Sequence, residues 1–451
     1  MGGSITSVRS NSQPAGGVES LQPAPATALP QSIEQLIEML TPAITAFRRA
    51  SVPMSTQLDQ GILGSASQSG LGAVSTIRID NVGLGYRIVR EHVDTYVFTN
   101  ALTTGPETVD ISPWFPFIGV SNTSVKLNGG AVPYSASGPA ALVTGLRTRR
   151  GALAAAIGSG VSAGLVRVVA GANLTLTAAT GPSMSGYKSL SVAANTAGGA
   201  AGTLTVTWYE IIRLAHSRND LLGCLPLQNN KVYAQLITQA NPSAIAASAT
   251  SQNAAFYNNS SAANLTVAYY GVINSSYKFW AVPTNPALYA ALVANSFQIN
   301  EQTAINTAST GAGAFSYDIP QNTYLVAMHL LTTDSTGAYV SQPTSLAGLT
   351  QAQIQYNGGT VIPVQFKSPQ LRAEQWADYG WDMYQVPGYL LWDGSNTSDD
   401  LTESDQAGWI DTYYAASPQL IGTVDSAVSN PLTSSIVRES LVPGSVQVVG
   451  G

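Results

Sequence analysis

The chain has 451 residues, of which 45% are hydrophobic and only 10% are charged, and its formal net charge is −6. An average soluble domain is about one quarter charged, so this surface must be largely Ser, Thr, Asn, Gln, Gly and Ala, which is typical of a protein that packs against neighbours or of a secreted β protein. The 19 lysines and arginines are widely scattered, which argues against direct nucleic-acid binding, and the single cysteine, Cys224, excludes an intrachain disulfide framework.

The N-terminal residues 1–30 predict a flexible arm, because they are rich in Ser, Gly, Pro, Gln and Ala. The arm has no basic segment followed by an apolar run, so it is not typical of a signal peptide. No stretch of the sequence reaches the roughly 18 apolar residues of a membrane span. We therefore expect a protein that is made and folded in a cytoplasm.

An amphipathic helix is predicted directly after this arm, in QSIEQLIEMLTPAITAFRRA (31–50). Ser32 and Gln35 form a capping box, and Pro42 is expected to kink the helix. Six large apolar side chains share one face and two arginines end the helix: Ile33, Leu36, Ile37, Leu40, Ile44 and Phe47, then Arg48 and Arg49. This apolar face needs a partner.

From about residue 74 the sequence predicts many short β-strands punctuated by Gly, Asn, Pro and Ser. The predicted strands are 74–80, 86–99, 124–128, 165–170, 173–179, 204–215, 232–239, 264–280, 323–332, 352–366 (a hairpin turning at Asn357-Gly358), 387–394, 418–426 and 434–449. Helices are predicted at 285–296, 368–379 and 399–414. Many strands without alternating helices predict an all-β fold of sandwiches or jelly rolls, and strand–helix–strand in both halves suggests one unit used twice.

The segment LTVTWYEIIRLAHSRNDLLG (204–223) sets the phase of one strand. Strict alternation places Leu204, Val206 and Trp208 on the same side, which we predict to be the core. Glu210 falls on that side too, so it is expected to mark a bulge or the exit of the strand from the core.

The same segment brings His216, Ser217 and Asp220 together in sequence, but neighbouring strand residues point to opposite faces, so no catalytic triad is expected. We predict a structural corner in which substitution of His216 or Ser217 costs little. The three histidines are far apart, and the acidic run at 395–406 lacks a calcium-loop pattern. We predict no enzyme activity, no catalytic residue, no metal site and no cofactor.

The segment GTLTVTWYEIIRLAHSRNDLLGCLPLQNNKVYAQLIT resembles the strand, helix and strand in the first jelly roll of tectivirus-type major capsid proteins. VGLGYRIVREHVDTYVFTNA resembles an early strand of that jelly roll, and SPQLRAEQWADYGWDMYQVPGYLLWDGSNTSDD resembles the helix, strand and loop of the second. The resemblance implies a double jelly roll of two eight-stranded units. The implied divisions are an arm and helix at 1–73, a first jelly roll at 74–284, and a second with a C-terminal arm at 285–451. Residues 145–200 have no counterpart and predict a long loop or an added hairpin.

This resemblance also implies a function. Such proteins trimerise into pseudo-hexagonal capsomers that tile an icosahedral shell around an internal membrane and a double-stranded DNA genome. The implied partners are further copies of the chain, minor capsid and vertex proteins, and the membrane. The implied location is the virion. The apolar face of the helix at 31–50 then has two alternative partners, the jelly rolls or a neighbouring subunit on one hand and the membrane surface on the other.

The alternative function is a carbohydrate-binding jelly-roll module or a viral spike protein, which can also be rich in Ser, Thr and Asn. A lectin requires exposed aromatic side chains beside polar ones. The one aromatic cluster of this kind in the sequence is Trp376, Trp381, Trp392 and Trp409, which we expect to lie in the core.

Overall fold

The computed structural model describes a β-rich protein. The described residues are 54–65, 74–80, 83–111, 114–128, 130–147, 166–178, 187–195, 201–216, 223–227, 233–241, 256–257, 264–280, 295–306, 313–335, 337, 339–340, 345–379, 386–394 and 409–443. The predicted arm and helix at 1–50 lie outside these residues.

The first half of the chain contributes fourteen described strands. They are β1 (Met54–Ser65), β2 (Val74–Asp80), β3 (Gly83–Asn100), β4 (Glu107–Ile111), β5 (Val120–Leu127), β6 (Tyr134–Ala136), β7 (Val166–Ala170), β8 (Leu174–Ala178), β9 (Tyr187–Val192), β10 (Ala201–Arg213), β11 (Leu225–Leu227), β12 (Tyr233–Ala240), β13 (Phe256–Tyr257) and β14 (Leu265–Trp280). Helix α1 (Gly138–Leu146) follows β6, and a 3-10 turn occupies Phe117–Gly119. The helix was not predicted, because Gly138-Pro139 suggests a loop; Pro139 instead occupies the first turn, where a missing N–H costs little.

The second half contributes nine described strands and helix α2 (Ser368–Tyr379). The strands are β15 (Asn295–Asn306), β16 (Ala314–Asp318), β17 (Tyr324–Asp334), β18 (Leu349–Tyr356), β19 (Val361–Lys367), β20 (Tyr389–Asp393), β21 (Ile410–Asp411), β22 (Gln419–Val424) and β23 (Leu432–Pro443). Helix α2 and the hairpin β18–β19 lie where they were predicted, and Asn357 and Gly358 turn the hairpin with φ of 55° and 65°. The predicted helix at 399–414 is wrong in its last part, because Ile410–Asp411 pairs with β17 as a strand.

The strands form four sheets. The first-roll sheet has the order β1-β14-β3-β10-β7, with β11 beside β3, and the second-roll sheet has the order β16-β22-β18-β19. Between them, the central sheet runs β2-β12-β5-β6-β15-β23-β17-β20, with β21 beside β17. A small sheet, β13-β4-β9-β8, contains two strands from the region 145–200, and β8 and β9 form a hairpin there.

These sheets build two jelly rolls. In the second half, β15, β23, β17 and β20 form one four-stranded layer and β16, β22, β18 and β19 form the other, and the chain crosses between the layers. In the first half, the first-roll sheet forms one layer, and β2, β12, β5 and β6 of the central sheet form the other. The predicted all-β double jelly-roll fold is therefore confirmed.

The two jelly rolls share the central sheet. Strand β6 of the first half pairs in parallel with β15 of the second, through Tyr134–Ile299 and Ser135–Asn300. Strand β17 is buried on both faces through most of its length. Helix α1 of the first half contacts β17, so the first half covers the face of this strand that the second-roll sheet leaves uncovered.

Strand β10 shows how the alternating pattern positions the core. Leu204, Val206 and Trp208 are buried and belong to the hydrophobic core. The pairing of β10 with β3 is unbroken from Ala201 to Arg213, so the expected bulge or exit at Glu210 is absent. Glu210 stays on the buried face, because Arg90 is its direct cross-strand neighbour.

Candidate functional site

Five ionisable side chains from both halves of the chain meet where the jelly rolls join, and we name them the joint. Arg147 follows the last turn of α1 and Arg213 ends β10, whereas His329, Asp393 and Glu439 lie on β17, β20 and β23. All five side chains are buried or nearly so. Adjacent strands of the central sheet bring the last three together, since β17 lies between β20 and β23.

Glu439 is the centre of the joint. The Arg147 guanidinium donates to both of its oxygens at 2.8 to 3.1 Å, and Arg213 Nη1 donates to the same two oxygens at 3.0 and 3.1 Å. His329 Nε2 lies 2.8 Å from Oε1, and Arg147 Nη1 lies 2.5 Å from Asp393 Oδ2. Two arginines therefore oppose two carboxylates, and the formal charge of the joint sums to zero with a neutral His329.

The electrostatics of the joint keep Glu439 ionised. Burial alone would raise the pKa of the Glu439 carboxyl, but Arg147, Arg213 and His329 hold it well below its usual value. Burial lowers the pKa of His329, which favours the neutral imidazole. That imidazole can donate to Glu439 through Nε2 while Nδ1 accepts from the Tyr389 hydroxyl at 3.0 Å. An ion pair this deeply buried is stable only because each charge has several partners.

A second polar network lies inside the first jelly roll. Glu210 Oε2 is 2.9 Å from His92 Nε2 and 3.5 Å from Arg90 Nη1, and Arg90 also bonds Thr238 on the facing layer. Burial opposes ionisation of Glu210, yet the His92 hydrogen bond and the Arg90 charge lower the pKa of its carboxyl. Because Arg90 bonds a strand of each layer, the network ties the two layers together.

Asp94 extends this network along β3. It accepts hydrogen bonds from Trp208 Nε1 at 2.6 Å, from the Tyr269 hydroxyl at 2.9 Å and from the Tyr96 hydroxyl at 3.4 Å. Burial raises the pKa of the Asp94 carboxyl, while these three donors act in the opposite direction. Trp208 stacks on His92 with ring centroids 3.8 Å apart. The stacking contact with His92 and the hydrogen bond to Asp94 together fix the position of the Trp208 ring.

The position of His216 contradicts the prediction that this corner residue tolerates substitution. Its side chain is only 3% exposed and contacts the rings of Phe297 and Trp409 edge-on, with centroids 5.6 and 5.0 Å away. Burial, together with Arg147 and Arg213, lowers the pKa of His216 to about 3. Its carbonyl accepts from Arg213 Nη2 at 2.6 Å, so the corner supports the joint. Ser217 and Asp220 lie outside the described residues.

Several other predicted sites lie outside the described residues. These are the helix residues Ile33, Leu36, Ile37, Leu40, Ile44, Phe47, Arg48 and Arg49, and the acidic run at 395–406. In the part of the chain that the structure describes, no three His, Cys, Asp or Glu side chains are grouped as metal ligands. None of the described helices has the length and apolar character needed to cross a membrane.

The tryptophan cluster is divided between core and surface. Trp392 is buried and Trp409 packs against the core, whereas Trp376 on α2 is 60% exposed, so its expected core position is wrong. The helix buries Ser368, Leu371 and Gln375, and Trp376 is one residue beyond that buried stripe. Trp381 lies outside the described residues.

A pair of exposed tyrosines follows β21. Tyr414 is 90% exposed and Tyr413 is 37% exposed. The loop that carries them is fixed to the β18–β19 turn, because Asn357 exchanges two hydrogen bonds with Ala416 at 2.7 and 3.0 Å. The sequence contains this pair of aromatic residues, but it gave no signal that their side chains are exposed.

The fold defines a double jelly-roll protein with a structural joint. No family model and no curated protein matches the chain. Solved structures of viral capsid proteins do match it. The crystal structure of the major capsid protein of STIV, the Sulfolobus turreted icosahedral virus, has a TM-score of 0.54 at 13% identity, covering 89% of this chain and 100% of that one. A chain in the atomic structure of the STIV particle has a TM-score of 0.50 at 13% identity, covering 87% of this chain and 91% of that one. Identities this low show a shared fold.

Proposed function

We propose that this protein is a viral major capsid protein, the repeating building block of an icosahedral shell. The observation that carries the proposal is the joint, because it locks two jelly rolls into one block across a shared central sheet. The fold similarity to the STIV major capsid protein along that protein's whole length supports it. A sequence with only 10% charged residues suits a block whose sides are covered by neighbours.

The finer proposal is a tectivirus-type capsid protein. Three copies form a pseudo-hexagonal capsomer, with the first jelly roll at 74–284 and the second at 285–451 alternating around the threefold axis. The capsomers enclose an internal membrane and a double-stranded DNA genome in the virion, and minor capsid and vertex proteins complete the shell. The predicted helix at 31–50 lies at the base of the shell, with its apolar face against the membrane surface and Arg48 and Arg49 near anionic head groups. The protein acts without enzymatic chemistry.

Size-exclusion chromatography with light scattering, followed by negative-stain microscopy, tests this function. We expect a stable trimer with a hexagonal outline. A protein that stays monomeric at micromolar concentration would contradict the capsid proposal.

The alternative, a carbohydrate-binding module or spike, is favoured by one observation. Tyr413 and Tyr414 present aromatic rings on a fixed loop beside the polar Asn357 turn, as sugar-binding surfaces do. Retention on neutral polysaccharide columns by a monomeric protein, lost in Tyr414→Ala, would support this alternative over the shell.

A further inference from the structure

The outward surface of the first-roll sheet carries few charged residues between Val89 and Thr99 of β3, and the outward cations Arg87 and Lys278 lie beyond that stretch. Along β3 every second residue is buried in the jelly roll, so the alternate residues point outward. We name as the outer face the odd-numbered residues of β3 from Val89 to Thr99, their direct partners on β10 and β14, and the β7 partners of those β10 residues. Its central row is Val169–Thr205–Thr95–Tyr270, which crosses four strands.

The polar groups at the centre of the outer face are already paired with one another. Glu91, the one carboxylate of the face, accepts from the Tyr209 hydroxyl at 3.0 Å and from Asn274 Nδ2 at 2.9 Å. Both carboxylate oxygens thus keep a partner when water is excluded, which removes much of the usual obstacle to burying a charge. Arg167 is the one cation of the face, and it lies on the edge strand β7, where an interface rim stays hydrated.

The size of the outer face matches a protein interface. At about 3.4 Å per residue and about 4.8 Å between strands, β10, β3 and β14 over this length and the five residues of β7 cover roughly 600 Å². A stable protein–protein interface buries about 600–1,000 Å² on each partner, so the outer face lies at the lower end of that range. Val169 and Tyr270, at the two ends of the central row, are 48% and 42% exposed, and Thr95 and Thr205 between them are half-buried.

The chemistry of the outer face selects its partner. A nucleic acid requires a row of cations and a membrane requires large apolar anchors, and this face of Thr, Val, Ala and Tyr supplies neither. A face with so few charges fits another protein surface that is poor in charge, and only 10% of the residues of this chain are charged. We propose that the outer face packs against a second copy of this chain and forms the contact between subunits of the capsomer. This inference rests on the proposed capsid function. In a closed ring of three, the outer face meets a different surface of the next copy.

A charge placed in the central row tests the proposal. Thr95→Arg lies at the middle of the outer face, and Tyr270→Arg offers a second position whose exposure tolerates a long side chain in the isolated subunit. The matched control is Thr76→Arg, at an exposed position of β2 on the edge of the central sheet. Light scattering across a concentration series gives the oligomeric state, and circular dichroism and melting temperature report whether each variant is folded.

We expect both outer-face variants to remain folded but to dissociate into monomers, with a trimer dissociation constant at least tenfold higher than that of the wild type. Thr76→Arg is expected to remain trimeric. If the wild type and both outer-face variants are trimeric, the outer face is not the subunit contact and the capsid proposal stands. If the wild type is monomeric, the capsid proposal fails as well. If Thr95→Arg does not fold, Tyr270→Arg alone decides between these outcomes.

Discussion

Arg147 and Glu439 are separated by 292 positions in the sequence, and their side chains form three hydrogen bonds of 2.8 to 3.1 Å in the interior of the protein. One residue belongs to the first jelly roll and the other to the second. The pair therefore reports whether the two jelly rolls are correctly joined.

Replacement of Glu439 by Gln is expected to destabilise the whole protein. Arg147 and Arg213 would then remain buried without their shared carboxylate, and breaking one partner of a buried ion pair costs about 3–5 kcal/mol. Urea unfolding gives the free energy of unfolding. The control is Glu374→Gln, since Glu374 is exposed on α2 and its replacement should cost less than about 0.5 kcal/mol. Equal losses in the two variants would show that the joint contributes little.

The stability of the protein is expected to fall as the pH falls below about 6.5, the ordinary pKa of histidine. His216 has a folded-state pKa of about 3, so between these values the unfolded chain binds a proton that the folded protein does not. Its contribution is present above pH 6.5 and is lost progressively towards pH 3. The expected slope is about 1.4 kcal/mol per pH unit for this one residue.

His216→Phe isolates that contribution, because a phenyl ring can occupy the same place between Phe297 and Trp409. Free energies of unfolding between pH 4.5 and 6.0 should fall less steeply in this variant than in the wild type. Some slope should remain, because burial also lowers the pKa of His329. Parallel pH profiles for wild type and variant would show that His216 is not buried as a neutral ring.

Two tryptophans offer a matched comparison of core and surface. Trp208→Ala removes a ring that is 1% exposed, together with its hydrogen bond to Asp94, and should cost about 3–5 kcal/mol. Trp376→Ala removes a ring that is 60% exposed and should leave the melting temperature nearly unchanged. Comparable losses would mean that the face assignment of β10 or of α2 is wrong.

Deletion of residues 1–50 tests the predicted membrane-facing helix. We expect truncated protein to form trimers normally but to build shells that fail to enclose vesicles, as seen by electron microscopy and lipid analysis of the particles. The control replaces Arg48 and Arg49 by Gln, which should weaken binding to anionic vesicles only. Loss of trimers on truncation would instead assign the helix to the subunit interface.

Local pattern predicted the parts of the fold that depend on near neighbours. The alternation in β10 placed Leu204, Val206 and Trp208 on one face, and Asn357-Gly358 predicted the hairpin turn. Glu210 was misjudged because its partners, Arg90 and His92, are more than a hundred positions away and no local signal pairs them. The joint was missed for the same reason.

The position of β23 has a consequence for folding during synthesis. This strand is the last one described, yet it lies between β15 and β17 in the middle of the central sheet. A ribosome that has completed only the first jelly roll has released Arg147 and Arg213 without Glu439. Glu439 can pair with these arginines only after residues 432–443 have been made. The joint and the central sheet can therefore be completed only after the last described strand of the chain has been made.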